Sequence, residues 1–213
     1  MEMEDFDCDK LCKNFSLIVF AKRRSGKSYL IRELVNKIVD RFDYIVVKSA
    51  VDESCRYFKK ELNHDKVLCS KYVVNDKVLK ALQRKKDSKR VLIIMDDIQG
   101  IKSTRYDQSI ADLFVAGRHK GISCILINQN FTMMGKQIRE NSDYIVMFKN
   151  SSKTYEQVIE SYLLDNDISG KDFENDKECK QYFKNVFKEL FKVRYMSCVL
   201  DNVTNCMYKF KAS

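Results

Sequence analysis

Apolar and polar positions along the chain follow two rhythms that alternate. NFSLIVF (residues 14–20) is a short apolar run, and between Ser28 and Phe42 apolar residues return at Leu30, Ile31, Leu34, Val35, Ile38 and Val39, the spacing of a helix. That pattern predicts strand, loop, helix. YIVV (44–47) predicts the next strand, followed by a helix over residues 55–62, an extended piece near 71–74 and a helix from 76 to about 84. VLIIM (91–95) is a continuous apolar run of the kind expected in a strand buried on both faces of a sheet. After Asp96 and Asp97 come a polar loop, a helix over 108–116, and the strands SCILIN (123–128) and YIVMF (144–148). Helices over 154–164 and 172–191 follow, and the runs 195–200 and 206–210, joined through DNVTN, predict a closing antiparallel hairpin.

Strands that alternate with helices and read as unbroken apolar runs predict an α/β fold, a mainly parallel sheet covered by helices on both faces. The chain has 213 residues, 45% of them apolar, which suits one domain. Its expected parts are an N-terminal tail (1–13), a core (14–150), and C-terminal helices with a hairpin (151–213). Proline is absent and glycine occurs six times, so no linker rich in those residues divides the chain. Where glycine does occur is therefore informative.

Gly26 lies in AKRRSGKS, residues 21–28, between the first predicted strand and helix. The spacing is that of the phosphate-binding loop G-x-x-x-x-G-K-[ST] with alanine in the leading position, and strand–loop–helix is the context that motif demands. Gly26 lets the backbone approach a phosphate, and the N–H groups of the loop and helix start point at the anion. Lys27 then reaches the β and γ phosphates and Ser28 offers its hydroxyl to Mg2+. The expected nucleotide contacts are Ala21, Lys22, Arg23, Arg24, Ser25, Gly26, Lys27 and Ser28, with ATP as the ligand. Alanine serves at position 21 wherever φ is negative. Arg23 and Arg24 are left open between phosphate, DNA and solvent.

VLIIMDD supplies the second element, a buried strand carrying two adjacent carboxylates at its end. Asp96 is expected to support Mg2+ and Asp97 to orient or deprotonate the attacking water. The third element is LFVAGRHKGISCILINQN. Gln129 follows an apolar strand and is expected near the γ-phosphate. Arg118, shortly before that strand, is the first candidate for an arginine finger acting on a neighbouring subunit's nucleotide, with a pairing to Asp112 as its plainer alternative. Arg139, in QIREN, is the competing finger, and His119 is expected to be a structural partner.

Composition adds bounds to this reading. The net charge of +9, from 39 Lys plus Arg against 30 Asp plus Glu, suits a polyanionic partner and equally a solvated surface. Eight scattered cysteines without a C-x-x-C pair fit reduced thiols, and Cys8 with Cys12 lacks the further ligands of a zinc site. The acidic start and the lack of a long apolar run predict a chain that is neither exported nor membrane-spanning.

Taken in order, AKRRSGKS, VLIIMDD and LFVAGRHKGISCILINQNFTMMGKQIRENSDYIVMFKN resemble the genome-packaging ATPases of large double-stranded DNA viruses, the poxvirus-like branch of the FtsK/HerA superfamily. Arg118, Gln129 and the stretch Ile138-Arg139-Glu140-Asn141 match that family's pattern, over about residues 14–150. Ala21 departs from the usual glycine, and Asp97 stands where many relatives have glutamate. The resemblance implies a P-loop NTPase of RecA/ASCE-like type that assembles into a ring, a hexamer, and pumps viral double-stranded DNA into a preformed capsid. It further implies a capsid or vertex protein as partner, and work in the host-cell cytoplasm or the virion.

Sequence-independent contacts to DNA phosphates are expected, because no separate recognition module is visible. The basic turn with Arg84, Lys85, Lys86, Lys89 and Arg90 should lie at the sheet end away from the nucleotide. Alternatives are a cellular or conjugative DNA pump, a P-loop nucleotide kinase that ignores DNA, and a nucleotide-binding scaffold without turnover.

Overall fold

The computed structural model describes residues 3–49, 51–62, 65–70, 89–96, 98, 108–164 and 172–212. The strands are β1 (Ser16–Phe20), β2 (Tyr44–Ser49), β3 (Val67–Ser70), β4 (Val91–Asp96), β5 (Ile122–Asn128), β6 (Tyr144–Phe148), β7 (Met196–Asp201) and β8 (Cys206–Lys211). The helices are α1 (Lys27–Ile38), α2 (Asp52–Glu61), α3 (Gln108–Ala116), α4 (Lys136–Glu140), α5 (Ser152–Tyr162) and α6 (Asp176–Leu190). The helix expected from residue 76 and the extended piece near 71–74 fall outside the described residues. The strand β3 closes just before that piece.

One sheet runs in the order β3-β2-β4-β5-β1-β6-β7-β8, parallel from β3 to β6 and antiparallel through β7 and β8. Continuous apolar strands follow from that position: every residue of β1, β4, β5 and β6 is buried, as a sheet covered on both faces requires. Alternate residues divide into two cores. Leu17 and Val19 of β1, with Leu92 and Ile94 of β4, pack against Leu30, Ile31, Leu34 and Val35 of α1 and Phe58 of α2. Ile18, Phe20, Ile93 and Met95 face the opposite way, toward α3, α5 and α6.

The segment before β1, expected as a tail, is docked on the sheet. Phe6 donates its N–H to Lys209 at 2.8 Å and its ring meets Tyr144, Tyr208 and Phe210. Cys8 and Leu11 are buried beside it. Asp143 sets the start of β1, accepting from the N–H and the hydroxyl of Ser16 at 2.7 and 2.8 Å.

Candidate active site

The site lies where the parallel strands end. β1 runs into residues 21–26 and α1 begins at Lys27 with Gly26 as its N-cap, at φ +95°. No side chain caps that terminus, so its first N–H groups and its dipole are turned to the loop as an anion site. Glycine is favoured there by the backbone, and a side chain would also crowd Tyr195. The φ lies in the left-handed region, and an added Cβ would stand 3.2 Å from Cδ1 of Tyr195.

Ala21 is buried and donates its N–H to the Asn128 carbonyl at 3.2 Å. The non-glycine residues with positive φ among those described are Arg24, Tyr195 and Asn205, so Ala21 sits in the conformation that alanine tolerates. Arg24 carries the loop's strained turn at φ +61°. The Lys27 ammonium reaches back to the carbonyls of Ala21 at 2.9 Å and Lys22 at 3.1 Å, bracing the loop across its mouth. The Ser25 hydroxyl is buried without a partner among the described residues. Lys22, Arg23 and Arg24 are exposed, and Arg24 alone of the three lines the adjoining cleft.

β5 is inserted between β1 and β4, so Asp96 is two strand spacings from β1, roughly 10 Å. Asp96 pairs in register with Ile127, one residue short of the strand end, and is 6% exposed. Its place in the alternation with Leu92 and Ile94 puts it on the face that carries α1, the face Ser28 occupies. Gln129 follows Ile125 and Ile127 in the same alternation and leaves β5 beside Ala21. A serine hydroxyl and a carboxylate are hard oxygen donors of the sort that hold Mg2+ together with phosphate and water. No cluster of three or more His, Cys, Asp or Glu side chains suited to a metal occurs among the described residues. Asp97 lies outside the described residues.

The two arginines are placed differently. Arg118 is exposed in the turn before β5, and its carbonyl accepts from Asn14 at the start of β1. That is the opposite end of the sheet from the loop, separated by the length of β1, roughly 16 Å for its five residues. It cannot serve the nucleotide of its own chain. Asp112, the acid considered as its partner, accepts from Gln108 instead. His119 is exposed beside Arg118, and both line a second cavity of about 740 Å³ at this end. The Arg139 guanidinium is stacked over Phe131 at 4.9 Å, with its Nε buried and unpartnered among the described residues. Lys89 and Arg90 precede β4 at the end away from the loop, where Lys89 meets the Tyr44 hydroxyl and Arg90 meets Asp43.

The sequence did not point to the aromatic wall around the loop. A cleft of about 770 Å³ opens over residues 24–29 and is lined further by Glu53, Ser54, Tyr57 and Tyr195. Tyr57 and Tyr29 stand 6.4 Å apart, and Arg32 lies over Tyr29 at 4.8 Å while pairing with Glu61 at 3.3 Å. The Tyr57 hydroxyl is buried with no partner among the described residues, and burial pushes its pKa up. No spacing rule links these tyrosines to the loop; the fold alone brings them there.

Comparison with known proteins gives the family and the fold. The family model described as Poxvirus A32 protein matches residues 3–170. An uncharacterized protein, L437, of Acanthamoeba polyphaga mimivirus is 25% identical over 168 residues, 71% of this chain. The chain spans 58% of that relative's length. Among solved structures, the genome packaging NTPase B204 of Sulfolobus turreted icosahedral virus 2, in complex with AMPPCP, superposes with a TM-score of 0.69 at 15% identity, covering 95% of this chain and 100% of the other. The pCW3 conjugation coupling protein TcpA, with ATPγS, gives 0.60 at 14% identity, covering 94% and 60%. These likenesses show that the chain shares the fold of those proteins. The family match runs over residues 3–170, most of the chain, and means that the chain belongs to the Poxvirus A32 protein family.

Proposed function

We propose that this protein is an ATPase and the motor of viral genome packaging, coupling ATP hydrolysis to movement of double-stranded DNA into a capsid. The observation that carries the reading is the insertion of β5 between β1 and β4, which gathers the loop 21–28, Asp96 and Gln129 at one sheet end. The family and the packaging NTPase of similar fold support it.

In this reading the N–H groups of the loop and of the first turn of α1 hold the phosphates, and Lys27 exchanges its loop carbonyls for phosphate oxygens. Ser28 and Asp96 hold Mg2+, which when bound neutralises charge on the phosphates. Gln129 orients a water toward the γ-phosphorus and Asp97 takes its proton; the water oxygen bonds to phosphorus as the bond to the ADP oxygen breaks, and inorganic phosphate and ADP leave. Arg118, turned away from its own nucleotide, reaches the nucleotide of the next subunit in a hexameric ring. Double-stranded DNA is held through its phosphates by basic side chains, in keeping with the net charge of +9. A capsid or vertex protein anchors the ring, in the cytoplasm of the infected cell or in the virion. No helix among the described residues is long and apolar enough to cross a membrane.

The test is ATP hydrolysis by the purified protein with and without long double-stranded DNA, beside Lys27→Ala and Arg118→Ala. Stimulation by DNA that is lost in both variants, and recovered when their subunits are mixed, is the expected result. Turnover indifferent to DNA and to Arg118→Ala rejects the motor.

A further inference from the structure

We propose that Tyr195 is the platform on which the nucleobase of the bound nucleotide stacks, and that the cleft between Tyr195 and Tyr57 holds the nucleoside half of the ligand. The proposal rests on the nucleotide-binding reading above and adds the part of the ligand that the phosphate loop does not hold.

A phosphate loop accounts for the triphosphate alone; the base needs a surface of its own. The cleft over the loop supplies one. Tyr195 lies in the turn between α6 and β7, and β7 pairs antiparallel with β6, with Ser197 opposite Phe148. That register brings the start of β7 to the end of the sheet where the loop lies. The Tyr195 side chain then rests on Gly26, whose added Cβ would meet Cδ1, Cγ and Cβ of the tyrosine at 3.2, 3.6 and 3.7 Å. Arg194 covers one face of the ring, its guanidinium carbon 4.7 Å from the centroid. The ring also lines the cleft over the loop, where a planar ligand could lie against it. Tyr195 is 44% exposed although it abuts the loop, so an aromatic surface is held ready beside the phosphate site.

A second feature of the same cleft points to a ligand. The Tyr57 hydroxyl is buried and unpartnered among the described residues. A buried hydroxyl without a bond costs free energy, and a sugar or base edge entering the cleft would supply the missing partner. Stacking on one ring tolerates any base, because each has a π face, and favours the larger purines. The ligand class is a purine nucleoside triphosphate, with weak discrimination between adenine and guanine.

The experiment compares the affinities of ATP and inorganic triphosphate, by calorimetry, for the wild-type protein and for Tyr195→Asn, Tyr195→Phe and Lys27→Ala. Asparagine accepts the positive φ found at this position, +63°, so the variant removes the ring without straining the turn. The expected result is that Tyr195→Asn weakens ATP by about tenfold or more, the worth of one base–aromatic stack, and leaves triphosphate unchanged. Tyr195→Phe keeps wild-type affinity for both. Equal ATP affinity in wild type and Tyr195→Asn overturns the platform. Equal loss of ATP and triphosphate in Tyr195→Asn also overturns it, because the ring would then act by shaping the loop at Gly26. Failure of the nucleotide reading itself looks different: the wild-type protein binds neither ligand, or Lys27→Ala changes neither.

Discussion

The N–H of Ala21 donates to the carbonyl of Asn128 at 3.2 Å, so the first residue of the phosphate loop is bonded to the residue just before Gln129. The loop and the glutamine are thereby parts of one hydrogen-bonded unit. Gln129→Ala is expected to lower kcat roughly a hundredfold, the scale seen when one positioned hydrogen-bonding group is removed from a transition state, with ATP affinity within about threefold of wild type. Single-turnover hydrolysis beside equilibrium nucleotide binding makes the separation.

Two substitutions in the loop should shift stability in opposite directions. Ala21 is fully buried in the core under α1. Ala21→Gly restores the family's usual residue yet is expected to cost about 1 kcal/mol, through lost packing and added chain entropy. Arg24 is exposed at φ +61°, and Arg24→Gly removes a strain of about 1 kcal/mol. Chemical denaturation of the nucleotide-free protein measures both, and both variants should still bind ATP.

The two candidate fingers can be told apart before any activity is measured. Arg139 packs on Phe131, which in turn packs on Phe20 at 5.1 Å and Tyr162 at 6.0 Å. Arg139→Ala is expected to destabilise the chain by about 1 kcal/mol through the lost cation–π contact and methylene packing. Arg118 is exposed, so Arg118→Ala should stay within about 0.5 kcal/mol of wild type. Thermal unfolding of the two variants side by side checks this.

Alkaline pH should weaken the fold. Burial pushes the Cys8 thiol up to about 11, and pushes the thiols of Cys124 and Cys198 and the hydroxyls of Tyr144 and Tyr162 well above their ordinary values. Groups whose pKa is raised by folding contribute stability in full below their unfolded pKa and lose it as pH climbs toward the folded one. For Cys8 that window is about pH 9 to 11. The urea midpoint is therefore expected to hold between pH 7 and 8 and to fall by pH 10.5. Replacing Cys124 and Cys198 with alanine should make the fall shallower.

The parallel core was legible because strands buried on both faces leave unbroken apolar runs. The expected and observed spans of α3 and β6 coincide, at residues 108–116 and 144–148. The loop and its helix were legible because phosphate chemistry fixes residue types at fixed spacing. What pattern could not give depends on distant pairings. Phe6 and Leu11 follow no strand or helix period, yet they are buried against the sheet because Tyr144, Tyr208 and Phe210 offer them an apolar surface. Tyr195 reads in sequence as the first residue of a strand, and only the register of β7 against β6 carries it to Gly26. Arg139 reads in sequence as a competing finger, and only the fold stacks it on Phe131.

The placement of β1 has a consequence for how the protein is made. It precedes both of its neighbours, β5 and β6, by a long stretch of chain, and the bond from Phe15 to Ser123 spans 108 residues. Until Phe148 has been synthesised, β1 has no complete pair of partners and the loop that follows it has no frame. The frame of the loop is thus completed only after most of the chain has been made, and sheet pairings of such long range are of the kind that slow folding.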